Sequence, residues 1–149
     1  MAALTDPIRI RAEHWGQMLE HINRLDPEEA CGLAAGVGRK TTRVYPIEND
    51  LHSPVRFRMA PQQQVDAILE MEEKGWDLLV IFHSHPNGPP VPSPTDVAGA
   101  TFPEAVNLIW SKHSGDWSCR GFLIQEHKFQ EISIILTDPD NHDGVQPIP

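Results

Sequence analysis

The segment from Asp77 to Asp96, DLLVIFHSHPNGPPVPSPTD, constrains the fold more than any other. Its five apolar residues, Leu78 to Phe82, carry no polar interruption. A run that short, bounded by polar residues and prolines, fits a strand buried on both faces better than a helix. His83 and His85 follow at once. Side chains on a strand alternate, so both imidazoles face the same side if the strand continues, about 7 Å apart along it, and can converge on one ion. Pro86, Pro89, Pro90 and Pro92 then end any ladder, because proline has no N–H to donate. Asp96 returns a short distance later as a possible third ligand. Two histidines and one carboxylate leave a fourth position for water, the composition of a catalytic rather than a structural zinc site.

Ser93-Pro94-Thr95-Asp96 also has a purely structural reading. Serine is a favoured N-cap, proline suits the first helical position, and Ser-x-x-Asp is a capping box. On spacing alone the capping reading is the stronger, and it is compatible with Asp96 serving as a ligand from the first turn of a helix. Glu28 and Glu29, taken by themselves, read as two surface acids ahead of a strand.

The combined spacing is more specific than any of these parts. His83-Ser84-His85, seven residues, Ser93, two residues and Asp96 resembles the His-x-His-x7-Ser-x2-Asp signature of the JAMM (MPN-plus) zinc metalloprotease family. That family also carries an upstream glutamate, usually followed two residues later by a small residue and glycine. Glu29-Ala30-Cys31-Gly32 is similar to that pattern. The resemblance runs from about Ile10 to about Leu136. It implies an α/β fold in three layers, a curved mixed β-sheet flanked by helices of the MPN/JAMM-like, cytidine-deaminase-like kind. It also implies Zn²⁺ held by His83, His85 and Asp96, with Glu29 as general base and Ser93 as oxyanion donor.

Composition bounds the partners. The chain has 149 residues, 12 Lys and Arg against 21 Asp and Glu, and a formal net charge of -9. So acidic a chain is a poor match for nucleic-acid phosphates, which call for clustered cations, and for an anionic membrane surface. No apolar run reaches the length of a membrane span, and the N-terminus lacks the apolar stretch of a signal peptide. Two cysteines, Cys31 and Cys119, cannot form a disulfide framework, which points to a reducing, cytoplasmic setting.

In chain order, Arg11 to Leu25 predicts an amphipathic helix with Trp15, Met18, Leu19, Ile22 and Leu25 on its apolar stripe and His14 and His21 in solvent. Ala30 to Val37 and Thr41 to Ile47 predict a hairpin across Gly38-Arg39-Lys40. Val55 to Met59 alternates apolar and basic residues and predicts a half-exposed strand. Pro61 to Lys74 predicts a helix, closed by Gly75, with Val65, Ile68, Leu69 and Glu72 sharing a face. A short helix from Asp96 to about Phe102 follows. Three further strands are expected at Ala105–Ser111, Arg120–Gln125 and Lys128–Leu136, with Lys112–Trp117 as a turn. Residues 1–149 read as one domain with a core over about 10–136 and a loose tail over 137–149. Helices on both sides of a mixed sheet give the three-layer arrangement.

Family members act on the Gly-Gly tail of ubiquitin or of ubiquitin-like proteins. Short connections leave no room for the insertions that grip a second ubiquitin. The resemblance therefore implies a short stand-alone type whose substrate is a ubiquitin-like sulfur-carrier protein. Two alternatives remain at this point: a metal-free MPN scaffold that only binds partners, and a DNA-repair-associated relative of the same fold, which the acidic charge does not favour. The sequence leaves the oligomeric state open.

Overall fold

The computed structural model describes residues 3–137 and 145–147. The elements run β1 (Ile8–Arg11), α1 (Ala12–Leu25), β2 (Cys31–Val37), β3 (Lys40–Ile47), α2 (Pro61–Lys74), β4 (Asp77–His85), α3 (Pro94–Ala98), β5 (Val106–His113), β6 (Asp116–Gln125), β7 (Lys128–Ile132), β8 (Ile134–Thr137) and β9 (Val145–Pro147). The strands form one mixed sheet in the order β7-β6-β5-β4-β2-β3-β1-β8-β9. β1 runs parallel to β3 and β8, and β4 parallel to β5; the other pairs are antiparallel.

The apolar run becomes the central strand β4, flanked by β2 and β5. Its two faces feed two cores, as a strand buried on both sides requires. Val80 and Phe82 join Ile8, Ile10, Met18, Ile22 and Trp110 on the α1 side. Leu78 and Ile81 pack with Leu33, Ile47, Ala67 and Met71 on the α2 side. This is the expected three-layer α/β arrangement. Gly32 makes one contact possible: a Cβ there would lie 2.4 Å from the Phe82 ring and 2.6 Å from the Tyr45 carbonyl oxygen, so no larger residue fits between β3 and β4.

The β2–β3 hairpin closes through Gly38 and Arg39 at φ 60° and 69°, the left-handed pair that a two-residue turn of matching twist demands. α2 has the predicted bounds, with Gly75 left-handed at its end.

Several expectations are corrected. β1 precedes α1 with no turn between them, where no strand was expected. His14 and His21 are buried rather than solvated. The face of α1 that meets β3 is wider than its apolar stripe, and hydrogen bonds make the histidines tolerable there: His14 Nδ1 lies 2.7 Å from Thr41 Oγ1, and His21 Nε2 lies 3.0 Å from the Cys31 carbonyl oxygen. Val55–Met59 is not a strand; Met59 makes one isolated bridge to Asn49, and the rest is extended loop. On α2 the buried positions are Ala67 and Met71, while Val65 and Leu69 are exposed. α3 stops at Ala98. The β5–β6 turn is confined to Ser114-Gly115, and Lys128–Leu136 divides into β7 and β8. Of the expected tail, residues 138–144 and 148–149 lie outside the described residues; Val145–Pro147 pairs with β8.

Candidate metal centre

β4 runs unbroken to His85, so the period-two rule holds and His83 and His85 share the α2 face. The ladder with β2 sets Cys31 opposite His83, and Ser84 N–H donates to the Ala30 carbonyl at 3.0 Å. Continued two residues past the start of β2, the same register points Glu29 toward His85. Ser84 points to the other face, where its Oγ accepts the Ala30 N–H at 2.8 Å. That bond fastens the strand carrying the histidines to the one carrying Glu29.

Asp96 arrives from α3. Ser93 is the N-cap: its Oγ accepts the Asp96 N–H at 3.0 Å, and its own N–H donates to Asp96 Oδ2 at 2.8 Å, a complete capping box. The same Oδ2 lies 3.2 Å from His83 Nε2 and 3.1 Å from His85 Nε2. The two Nε2 atoms are 3.0 Å apart. The carboxylate that completes the capping box therefore also faces both imidazoles.

This triangle asks for a cation. His85 Nδ1 sits 2.8 Å from the Pro89 carbonyl, so it carries the ring proton and leaves Nε2 as a lone pair. His83 can offer one proton to one neighbour only. At least one of the three contacts then sets lone pair against lone pair unless a positive charge lies among them. Tetrahedral ligation at about 2.0–2.1 Å puts donor atoms about 3.3–3.4 Å apart, close to the spacing found here. His83, His85 and Glu29 also form a buried group whose ligand atoms lie within 4.8 Å of one another, so the site can hold a divalent metal ion.

Burial and charge divide the group. Burial pushes the Glu29 carboxyl up to about 7; His85 offsets this in part and Asp96 adds to it. Burial would raise Asp96 too, but His83, His85 and the Ser93 amide hold it well below the usual carboxylate range. His83 is 1% exposed and is pushed down by desolvation, against the pull of Asp96. Burial also presses His85 down, but its bonds to Asp96 and the Pro89 carbonyl leave it raised.

Three contributors were not read from the sequence. Pro89 supplies the carbonyl that orients His85. Phe57 stacks on the His83 ring, centroids 4.5 Å apart. Asn49, 2% exposed, donates from Nδ2 to the Glu29 carbonyl at 2.9 Å and the Arg56 carbonyl at 3.0 Å, while its Oδ1 accepts the Leu51 and Arg58 amides. Its one signal was position, in the Glu48-Asn49-Asp50 loop start, where asparagine commonly bonds backbone. Glu28 is turned away, 3.2 Å from the exposed His52. A cavity of about 260 Å³ opens beside His83, Ser93 and Asp96, floored by Leu33, Ile81 and Asn107 and walled by Phe57.

The chain is also similar to known proteins. A sequence profile described as prokaryotic homologs of the JAB domain matches residues 11–127. The chain is 32% identical over 108 residues to a desampylase of Pyrococcus furiosus, covering 72% of this chain and 76% of that one. It is 35% identical over 117 residues to a probable TtuB-protein conjugate cleaving protease of Thermus thermophilus, covering 78% and 74%. A protein of Desulfitobacterium hafniense, solved in solution, superposes with a TM-score of 0.77 at 37% identity, covering 88% of this chain and 93% of its own. With its centre formed at the end of the middle strand and the profile matching most of its length, the chain belongs to the family of prokaryotic JAB-domain homologs.

Proposed function

We propose that the protein is a zinc-dependent metallopeptidase of the JAMM type, hydrolysing the peptide or isopeptide bond that follows the Gly-Gly tail of a ubiquitin-like sulfur-carrier protein. The observation that carries this reading is the convergence of His83, His85 and Asp96 at 3.0–3.2 Å, with a Glu29 carboxylate oxygen within 4.8 Å of the two imidazoles. His83, His85 and Asp96 would hold the ion, which supplies a Lewis acid that lowers the pKa of water and polarises a carbonyl. Glu29 takes the proton of the attacking water and hands it to the leaving amine. Its carboxyl, raised to about 7, is matched to both halves of that task. Ser93 Oγ accepts from the Asp96 amide, so its own hydrogen is available to the oxyanion.

The substrate class is supported by the relatives, one of which is named for cleaving protein conjugates. Cytoplasmic action is supported by two buried, free thiols, Cys31 and Cys119; no helix among the described residues is long and apolar enough to cross a membrane. The test is metal analysis of the purified protein together with cleavage of carrier fusions extended past Gly-Gly. One equivalent of zinc and release of the Gly-Gly end are expected. Protein that takes up no metal would instead be a binding scaffold, and zinc-loaded protein that cuts none of the fusions would remove the substrate assignment.

A further inference from the structure

The register places Leu33, Ile81 and Asn107 at one level of β2, β4 and β5, all on the face that carries His83 and His85. They form the floor of the cavity that ends at His83, Ser93 and Asp96. Two of the three are apolar. Asn107 is the exception: a strand-interior residue, 9% exposed, whose side-chain amide makes no hydrogen bond to any described residue. Asparagine is disfavoured in strands, so one whose amide opens into the cavity needs a reason. A leucine would complete the apolar row.

The direction of the substrate follows from the same register. Glu29 lies on the His85 side of the centre, and it returns the proton to the leaving amine, so the leaving group lies at that end. The acyl portion then runs the opposite way along β4, toward Ile81 and Asn107. That row lies two residues before His83, about 6.6 Å along the strand, and one strand spacing of about 4.8 Å to the side. An extended peptide advances by about 3.3 Å per residue. Measured from the scissile carbonyl, the Asn107 amide meets the third residue, the one immediately before Gly-Gly.

We propose that Asn107 is a specificity-determining residue whose side-chain amide both donates to and accepts from the substrate residue preceding the Gly-Gly pair. This rests on the hydrolase reading of the adjoining centre. An amide offers a donor and an acceptor side by side, the complement of a peptide group in an extended chain. Asn107 would favour substrates that fill this part of the cavity over a bare dipeptide.

The test uses zinc-loaded protein and two fluorogenic amides, Gly-Gly alone and a hexapeptide ending in Gly-Gly. Asn107→Leu is expected to lower kcat/KM on the hexapeptide about 10-fold and to leave the dipeptide unchanged, the loss of one to two neutral hydrogen bonds. Asn107→Asp keeps the size and the acceptor but not the donors, and is expected to lose less, on the same substrate only. In parallel, the Asn107 side-chain amide resonances of the unmodified protein should shift on titration with the hexapeptide acid and not with Gly-Gly. Equal losses on both amides, no loss in either variant, or unmoved resonances would overturn the inference. Unmodified protein whose resonances shift but which cleaves neither amide would leave the Asn107 contact standing and remove the hydrolase reading instead.

Discussion

Two pairs of buried histidines stand on opposite faces of the sheet. His83 and His85 lie on β4; His14 and His21 lie on α1, seven residues apart. All four are at most 6% exposed. The α1 pair is quiet because each ring is answered separately. His14 meets Thr41, and His21 Nε2 donates to the Cys31 and Ile47 carbonyls while its Nδ1 accepts from Arg24. Burial pushes both below their ordinary range, so they stay neutral and serve as hydrogen-bonding struts. The β4 pair points its nitrogens at each other and at one carboxylate oxygen. Burial is common to both pairs; convergence belongs to one, and convergence makes a site.

The largest expected effect on this contrast comes from His85→Ala. It should abolish metal binding and reduce hydrolysis to background, measured by metal content and turnover, whereas His14→Ala keeps one metal per chain. Equal metal loss in both would erase the distinction. Glu29→Gln should retain the metal but lower kcat by about 10²–10⁴-fold, the contribution of a positioned general base. Ser93→Ala should fall by about 10²–10³-fold if its hydroxyl meets the oxyanion. Activity retained in Glu29→Gln would leave the proton to solvent, since Glu28 is bound to His52 on the surface.

His21→Ala sharpens the comparison from the other side. It removes one donor from each of two buried carbonyls and should cost about 1–3 kcal/mol in denaturant unfolding, with metal content unchanged. The smallest effect is a pH dependence of metal-free protein. Folded Glu29 holds its proton up to about 7, against an ordinary 4.5, so the folded state binds more protons between those values. The neutral carboxyl is fully tolerated below about 4.5, and stability drains away as pH rises to about 7. Glu29→Gln removes that slope. It should match the unmodified protein at pH 4.5 and exceed it by about 1–2 kcal/mol at pH 8, after discounting for the solvent that reaches the carboxyl. A parallel pair of pH curves would mean Glu29 is already ionised in the fold.

The cluster was legible because its signals are local and rigid: a strand ending in His-x-His, and a capping box whose acid ends beside both imidazoles. Both survive folding with their geometry intact. What escaped depends on tertiary partners. Ile8-Arg9-Ile10-Arg11 alternates as a strand should, yet it runs into α1 without a turn residue, so nothing local separates the strand from the helix. His14 and His21 lie beside the apolar stripe, and nothing local announces that Thr41, Cys31 and Ile47 wait opposite them. Val55–Met59 alternates like a strand, but its backbone is claimed by Asn49, which accepts the Arg58 amide and donates to the Arg56 carbonyl. The exposed Val65 and Leu69 misled the helix phase, because the sheet meets α2 at Ala67 and Met71.

The proline-rich connection between His85 and Ser93 is fastened at both ends by the centre itself: His85 Nδ1 grips the Pro89 carbonyl, and Asp96 Oδ2 grips the Ser93 amide. A cation held by the two side chains would act as a clasp on that connection. Chelation should loosen it enough for a protease to nick between residues 86 and 92, and added zinc should restore resistance. The state of the catalytic interior would then be readable as a band pattern on a gel, with no substrate in hand.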